Sequence, residues 1–166
     1  MKKTFGSIFL ALLLLTLVAG AAFAATAVKE KMLDVTGTVQ AVENDEVYYP
    51  IIYLHGNGSG SATVLGQFTL HFEGIVSNDA NGVGTGVEGV NLTVSNGDIL
   101  FATATGLGVP TTTPGVNKIV EKYTVTGGTG QFESATGDFT VERLVTLPTG
   151  VSSGTIKGNI KLRSGK

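Results

Sequence analysis

The chain has 166 residues, 42% of them hydrophobic and 14% charged, with a formal charge of −2 and no cysteine. That length suits one domain with one core. No segment concentrates Lys or Arg, so the electrostatic footprint of a nucleic-acid partner is missing, and the lack of cysteine removes disulfides, thiol nucleophiles and thiolate metal sites together.

The first element is an export signal. Lys2 and Lys3 open it, Ile8 to Val18 is a nearly unbroken apolar run, and Ala21-Ala22-Phe23-Ala24 offers a small-residue cleavage site ahead of Ala25. The run is well short of the ~20 residues that span a bilayer. The prediction is therefore a cleaved signal over 1–24 and one domain over 25–166. No membrane span remains after cleavage, and the destination is secreted or periplasmic. A retained membrane anchor is the competing reading. Without Lys2 and Lys3 the formal charge becomes −4.

Past the signal, alternation with period 2 dominates and no helical period persists. Strands are predicted at about 32–40, 47–54, 62–76, 87–94, 99–107, 118–126, 138–147 and 154–162. In the third, Phe68, Leu70 and Phe72 share one side while Gln67, Thr69, His71 and Glu73 share the other. In the last, Ile156, Ile160 and Leu162 oppose Lys157, Asn159 and Lys161, which marks a sheet with one face in water. Asn96-Gly97, Asn81-Gly82 and Pro148-Thr149-Gly150 mark turns, and 108–117, with Pro110 and Pro114, is the longest predicted loop. Eight short strands joined by local turns predict an all-β, up-and-down antiparallel barrel, closed so that no edge is left exposed. A two-sheet β-sandwich satisfies the same pattern.

The segment Tyr123-Thr-Val-Thr-Gly-Gly-Thr-Gly-Gln-Phe-Glu-Ser-Ala-Thr-Gly-Asp-Phe139 resembles a hairpin of the allene oxide cyclase and dirigent barrel superfamily. The blocks Ala62–Thr69 and Asn96–Ala102 resemble a group of bacterial secreted proteins that look like distant relatives of that barrel. The resemblance implies a structural turn. Gly127, Gly128, Gly130 and Gly137 would supply positive φ or close approach, with Phe132 tucked beneath. It implies no catalytic residues: the acidic and polar groups of the cyclases have no convincing match in Leu33–Leu54, and dirigent proteins use lumen acids and an arginine in contexts this chain does not reproduce. A fold shared with enzymes does not carry activity.

Other candidates have bland readings. His55 and His71 lie on different strands without further ligands, so no metal site and no cofactor is implied. Gly82–Gly86 and Gly127–Gly130 open no helix and are turn glycines rather than phosphate loops. Asn78–Asn81 and Glu43–Glu46 are solvated acidic turns that lack the distal glutamate of a calcium loop. Tyr48, Tyr49 and Tyr53 form an aromatic run, with Tyr48 and Tyr53 as candidates for a pocket rim; packing at a barrel end is the alternative.

Two strands admit charge to their apolar side. On 118–126, Ile119, Glu121, Tyr123 and Val125 share a face, and on 138–147 Phe139, Val141, Arg143, Val145 and Leu147 share one. If both faces line the barrel, Glu121 pairs with Arg143 inside it and Tyr123 bonds nearby, which makes these three the best ligand-binding candidates. If the hairpin extends past the barrel, or a bulge flips the register, both charges reach solvent. The second arrangement is the one expected.

The functional expectation is a non-enzymatic module that binds an apolar or amphipathic small molecule, or a structural envelope protein. The alternative is a cyclase or isomerase acting in an apolar lumen. The sequence leaves ligand identity and oligomeric state open.

Overall fold

The computed structural model describes residues 30–163. The predicted signal over 1–24 lies outside them. The strands are β1 (Glu30–Glu43), β2 (Glu46–Tyr48), β3 (Ile51–Ala62), β4 (Gly66–Asn78), β5 (Gly84–Val94), β6 (Ile99–Pro110), β7 (Val116–Gly128), β8 (Thr136–Thr146) and β9 (Val151–Arg163). From β3 onward each pairs antiparallel with the next, and β9 returns to β1. A further pairing of β1 with β3 closes the sheet. The fold is an eight-stranded antiparallel barrel, with β2 as an extra strand on β3. It is not a sandwich.

Several predicted boundaries move: β5 starts at Gly84, and β6 runs on to Pro110, into the loop expected at 108–117. The strand expected at 47–54 is interrupted at Tyr49-Pro50, and its second half runs on as β3 through His55-Gly-Asn-Gly-Ser-Gly-Ser61. Glycine is a poor strand former, but here it is the residue that fits. A Cβ on Gly56 would strike the Phe72 ring, one on Gly60 the Phe68 ring, and one on Gly58 would sit 2.9 Å from the Ala41 Cβ. The strand expected at 62–76 begins instead at Gly66. Residues 63–65 make a tight turn, held where the Thr63 hydroxyl donates to the Asp34 carbonyl (2.7 Å) and accepts from the Thr36 amide (2.9 Å).

One end of the barrel is solid. Val35, Phe68, Leu70, Leu92, Leu100, Val125, Phe139, Ile156 and Ile160 fill it from all sides. The segment between β7 and β8 plugs its base with a short 3-10 turn at Gly130–Phe132, and the Phe132 side chain is fully buried. Gly127 (φ 131°), Gly130 (φ 52°) and Gly137 (φ 128°) occupy backbone regions that disfavour side chains. Gly128 has no positive φ. It is glycine because a Cβ there would strike the Ile99 carbonyl and approach the Phe132 Cβ to 2.6 Å.

Candidate functional site

The opposite end of the barrel is hollow. Inward positions on β5 and β6 that would carry large residues in a filled barrel are Gly84, Gly86, Gly106 and Gly108. Their missing side chains leave a cavity of about 400 Å³. Ile52, Leu54, Val76, Ile119, Val145 and Leu147 line its walls, and Pro110, Thr111, Thr113 and Pro114 belong to its mouth. The floor is polar.

Glu121 and Arg143 both face inward. Glu121 pairs across β7–β8 with Val141, so Arg143 is its diagonal neighbour on the same face. Arg143 Nη2 and Nε donate to the two Glu121 oxygens at 2.7 and 3.1 Å. Its Nη1 donates to Glu43, at the end of β1, and to Ser152 Oγ at 3.2 Å. The guanidinium also lies over the Phe72 ring, 5.6 Å from its centroid. Burial alone would lower the Arg143 pKa, but the ion pairs outweigh it and hold the value above the ordinary one.

The expectation that favoured solvent for both charges is therefore corrected. A bulge does occur on β7, where Thr126 has no partner between Phe101 and Ala102 of β6. It falls on the turn side of Tyr123, so the parity of residues 119–125 is untouched. Tyr123 faces Phe139 directly, and their rings stack with centroids 4.8 Å apart.

Sequence reasoning missed three further members of the cluster: Glu43, Glu88 and Ser152. The Tyr123 hydroxyl lies 3.1 Å from Glu88 Oε1 and 3.4 Å from Glu121 Oε2. Glu88 is 8% exposed, and its Oε2 has no hydrogen-bond partner among the described residues. Burial, followed by the nearby Glu121 charge, pushes its pKa up to about 8. Burial and the Glu121 charge thus favour the neutral acid at Glu88, which stands in a hydrogen-bonded row with Tyr123 and Glu121. Burial likewise raises Tyr123 well above its ordinary value and raises Glu43 against the pull of Arg143. A signal for all three was present: each continues the alternation of an apolar run, Glu88 from Val90 and Leu92, Glu43 from Val39 and Ala41, and Ser152 from Ile156.

Tyr48 and Tyr53 are not at the cavity. Ile52 and Leu54 face inward, so Tyr53 points out of the barrel. It is 42% exposed and packs edge-on against Tyr48, which is 64% exposed. Tyr49 does structural work outside, donating to the Asp79 carbonyl at 2.9 Å. The Asp79 carboxylate in turn accepts from the amides of Asn81 and Val83, both at 2.8 Å, which makes Asn78–Asn81 a self-capped turn. Glu43, expected on a solvated turn, belongs instead to the floor of the cavity. His71 sits outside between Asn57 and Glu73. Among the described residues no group of three or more His, Asp or Glu side chains is placed to hold a metal ion, and no helix is long and apolar enough to cross a membrane.

The chain matches no protein-family model and no curated protein sequence. Its architecture is similar to the structure of a pterocarpan synthase dirigent protein, with a TM-score of 0.50 over 83% of this chain and 88% of that one. The two share a barrel fold. Sequence identity between the two is 14%, so the likeness is one of fold. The polar floor of this barrel is built from Glu43, Glu88, Glu121, Tyr123, Arg143 and Ser152.

Proposed function

We propose that the protein binds one small amphipathic molecule in the open half of its barrel. The observation that carries this reading is the cavity, apolar on its walls and charged on its floor. Its volume of about 400 Å³ falls within the range of small-molecule sites. An eight-stranded barrel is just wide enough for one such guest. The apolar body would lie against Ile52, Leu54, Val76 and Ile119, with the polar end on Glu88. Export, with a mature chain beginning at Ala25, belongs to the same reading and is supported by the signal-like residues 1–24. Native mass spectrometry of protein recovered from its own host, after N-terminal sequencing, tests both. A non-covalent adduct lost on denaturation supports binding; an empty barrel under native conditions speaks for an envelope protein with no guest.

A second reading is supported by one observation, the buried carboxyl of Glu88 bonded to the Tyr123 hydroxyl. A buried acid with a pKa of about 8 suits proton donation near neutral pH. The protein similar in fold is named a synthase, so a cyclase or isomerase in the lumen is the enzymatic form of the same site. Incubating the co-purified molecule with the protein and following its isomers by chiral chromatography separates the two. Conversion that Glu88→Gln abolishes marks an enzyme, and an unchanged molecule marks a carrier.

A further inference from the structure

The charge balance at the cavity floor says what kind of polar end the guest carries. Four carboxyl groups line the cavity (Glu43, Asp45, Glu88 and Glu121), against one cation, Arg143. Arg143 has little left to offer. Both Glu121 oxygens, Glu43 and Ser152 Oγ already take its Nε, Nη1 and Nη2 donors. The Tyr123 hydroxyl is engaged with Glu88 and Glu121. An anionic guest would therefore enter an acidic cavity with no free cation at its base, and its charge would oppose ionisation of the one open group there, the Glu88 carboxyl. The unmet need is the reverse: Glu88 is nine-tenths buried, and its Oε2 has no partner among the described residues. The surface lysines do not alter this, since Lys118, Lys122 and Lys161 pair outside the barrel with Glu142, Asp138 and Glu30.

We infer that the guest is a cationic amphiphile, an apolar body bearing a protonated amine, with the ammonium group seated on the Glu88 side of the carboxylate cluster. This rests on the small-molecule reading above and narrows it. An ammonium beside Glu88 favours the carboxylate over the acid, so binding expels a proton. The groups that face Glu88 are Glu121 and Tyr123 from β7, Arg143 from β8 and Glu43 from β1; its direct neighbours on β4 and β6 are Gly74 and Ala104, which do not titrate. Glu88 holds its proton up to a pH of about 8, so it is the group in this set placed to release one on binding at pH 7.

The test uses three probes with one naphthalene body: 2-(1-naphthyl)ethylamine, 2-(1-naphthyl)ethanol and 1-naphthylacetate, titrated into the whole protein by calorimetry at pH 7. The amine should bind at least about tenfold tighter than the alcohol, with the acetate weakest, since a charge pair of this kind in a partly desolvated site readily exceeds that ratio. Repeating the amine titration in phosphate and in Tris, which differ in ionisation enthalpy, should reveal a proton released per amine bound and none for the alcohol. In Glu88→Gln the preference for amine over alcohol should shrink towards unity. An alcohol that binds as tightly as the amine, or an acetate that binds best, overturns the cationic guest while leaving the cavity reading intact, and amine binding without proton release overturns its seat on Glu88. Failure of all three probes overturns the cavity reading itself. The proton measurement uses the unsubstituted protein, so it decides the matter even if Glu88→Gln does not fold.

Discussion

Glu121 shows how one inward carboxylate becomes indispensable. It meets two nitrogens of a buried guanidinium, and removing its charge leaves Arg143 with Glu43 as its one remaining carboxylate partner. Breaking a buried pair costs roughly 3–5 kcal/mol. Because Glu43 stays in place, Glu121→Gln should lose about 3 kcal/mol in urea unfolding, the lower end of that range. A variant as stable as the parent would mean that Glu43 alone satisfies the arginine. Glu88 works in the other direction. Its ordinary pKa is 4.5 and its folded value about 8. Between those values the unfolded chain has shed the proton that the folded chain keeps, so stability falls as pH rises through the interval and levels off above it. The full effect is on the order of 5 kcal/mol. Glu43 and Asp45, also raised by burial, add to the same slope. Unfolding free energies at pH 5.5 and 8.5 should therefore differ in favour of the lower pH, and Glu88→Gln should remove most of the difference. At this scale the sequence was half legible. Alternation placed Glu121, Tyr123 and Arg143 on apolar faces, but it could not say where along β7 the bulge would fall. Glu43 was read as the start of a solvated turn, while Glu88, inside the strand predicted at 87–94, faces inward only when the parity of Val90, Leu92 and Val94 is carried back to it.

Strands β5 and β6 owe their character to the glycines they turn inward. At the solid end the same strands present Val90, Leu92, Val94, Leu100 and Ala102; at the open end they present Gly84, Gly86, Gly106 and Gly108. Composition read as turn-rich is in part a hollow, and Gly82–Gly86, expected to be a turn, enters β5 at Gly84. A side chain at Gly108 would meet Ile119 Cδ1 at 2.8 Å, the far end of a flexible side chain that can move aside. Gly108→Val should therefore fill part of the cavity at a cost of about 1 kcal/mol or less, since glycine in a strand is itself unfavourable. Binding of the naphthyl probes should fall at least about tenfold, as expected when guest volume is lost from a preformed site. Intact binding would place the guest elsewhere. Gly128 has no such freedom, because its obstacle is the Ile99 carbonyl of a paired strand.

At the scale of the whole molecule, function depends on closure. The hollow exists because β1 pairs on both sides, with β9 and with β3, so that no strand of the ring ends in open solvent. The sequence made closure an economical guess, since a meander of eight strands leaves two edges to hide. It could not reveal that the glycine-rich stretch 56–60, left outside the predicted strands, is the partner that completes the ring. Val39 stands at the seam, opposite Gly60 on one side and Gly154 on the other. Val47, on β2, pairs with Ile52 alone and is 63% exposed. Proline at the two positions should therefore have unequal effects. Val39→Pro removes a ladder donor and forces the ring apart where both neighbours are needed, a loss of about 3 kcal/mol or more. The freed edges of β3 and β9 would then template association. Val47→Pro lies on an edge strand outside the ring, where proline is tolerated, and should cost no more than about 1 kcal/mol. Thermal unfolding together with size-exclusion chromatography reads both consequences, with Val39→Pro expected to unfold early and to aggregate while Val47→Pro elutes like the parent. Equal behaviour of the two variants would show that the β1–β3 seam is not what holds the barrel shut, and would remove the wall on which Glu43 reaches Arg143.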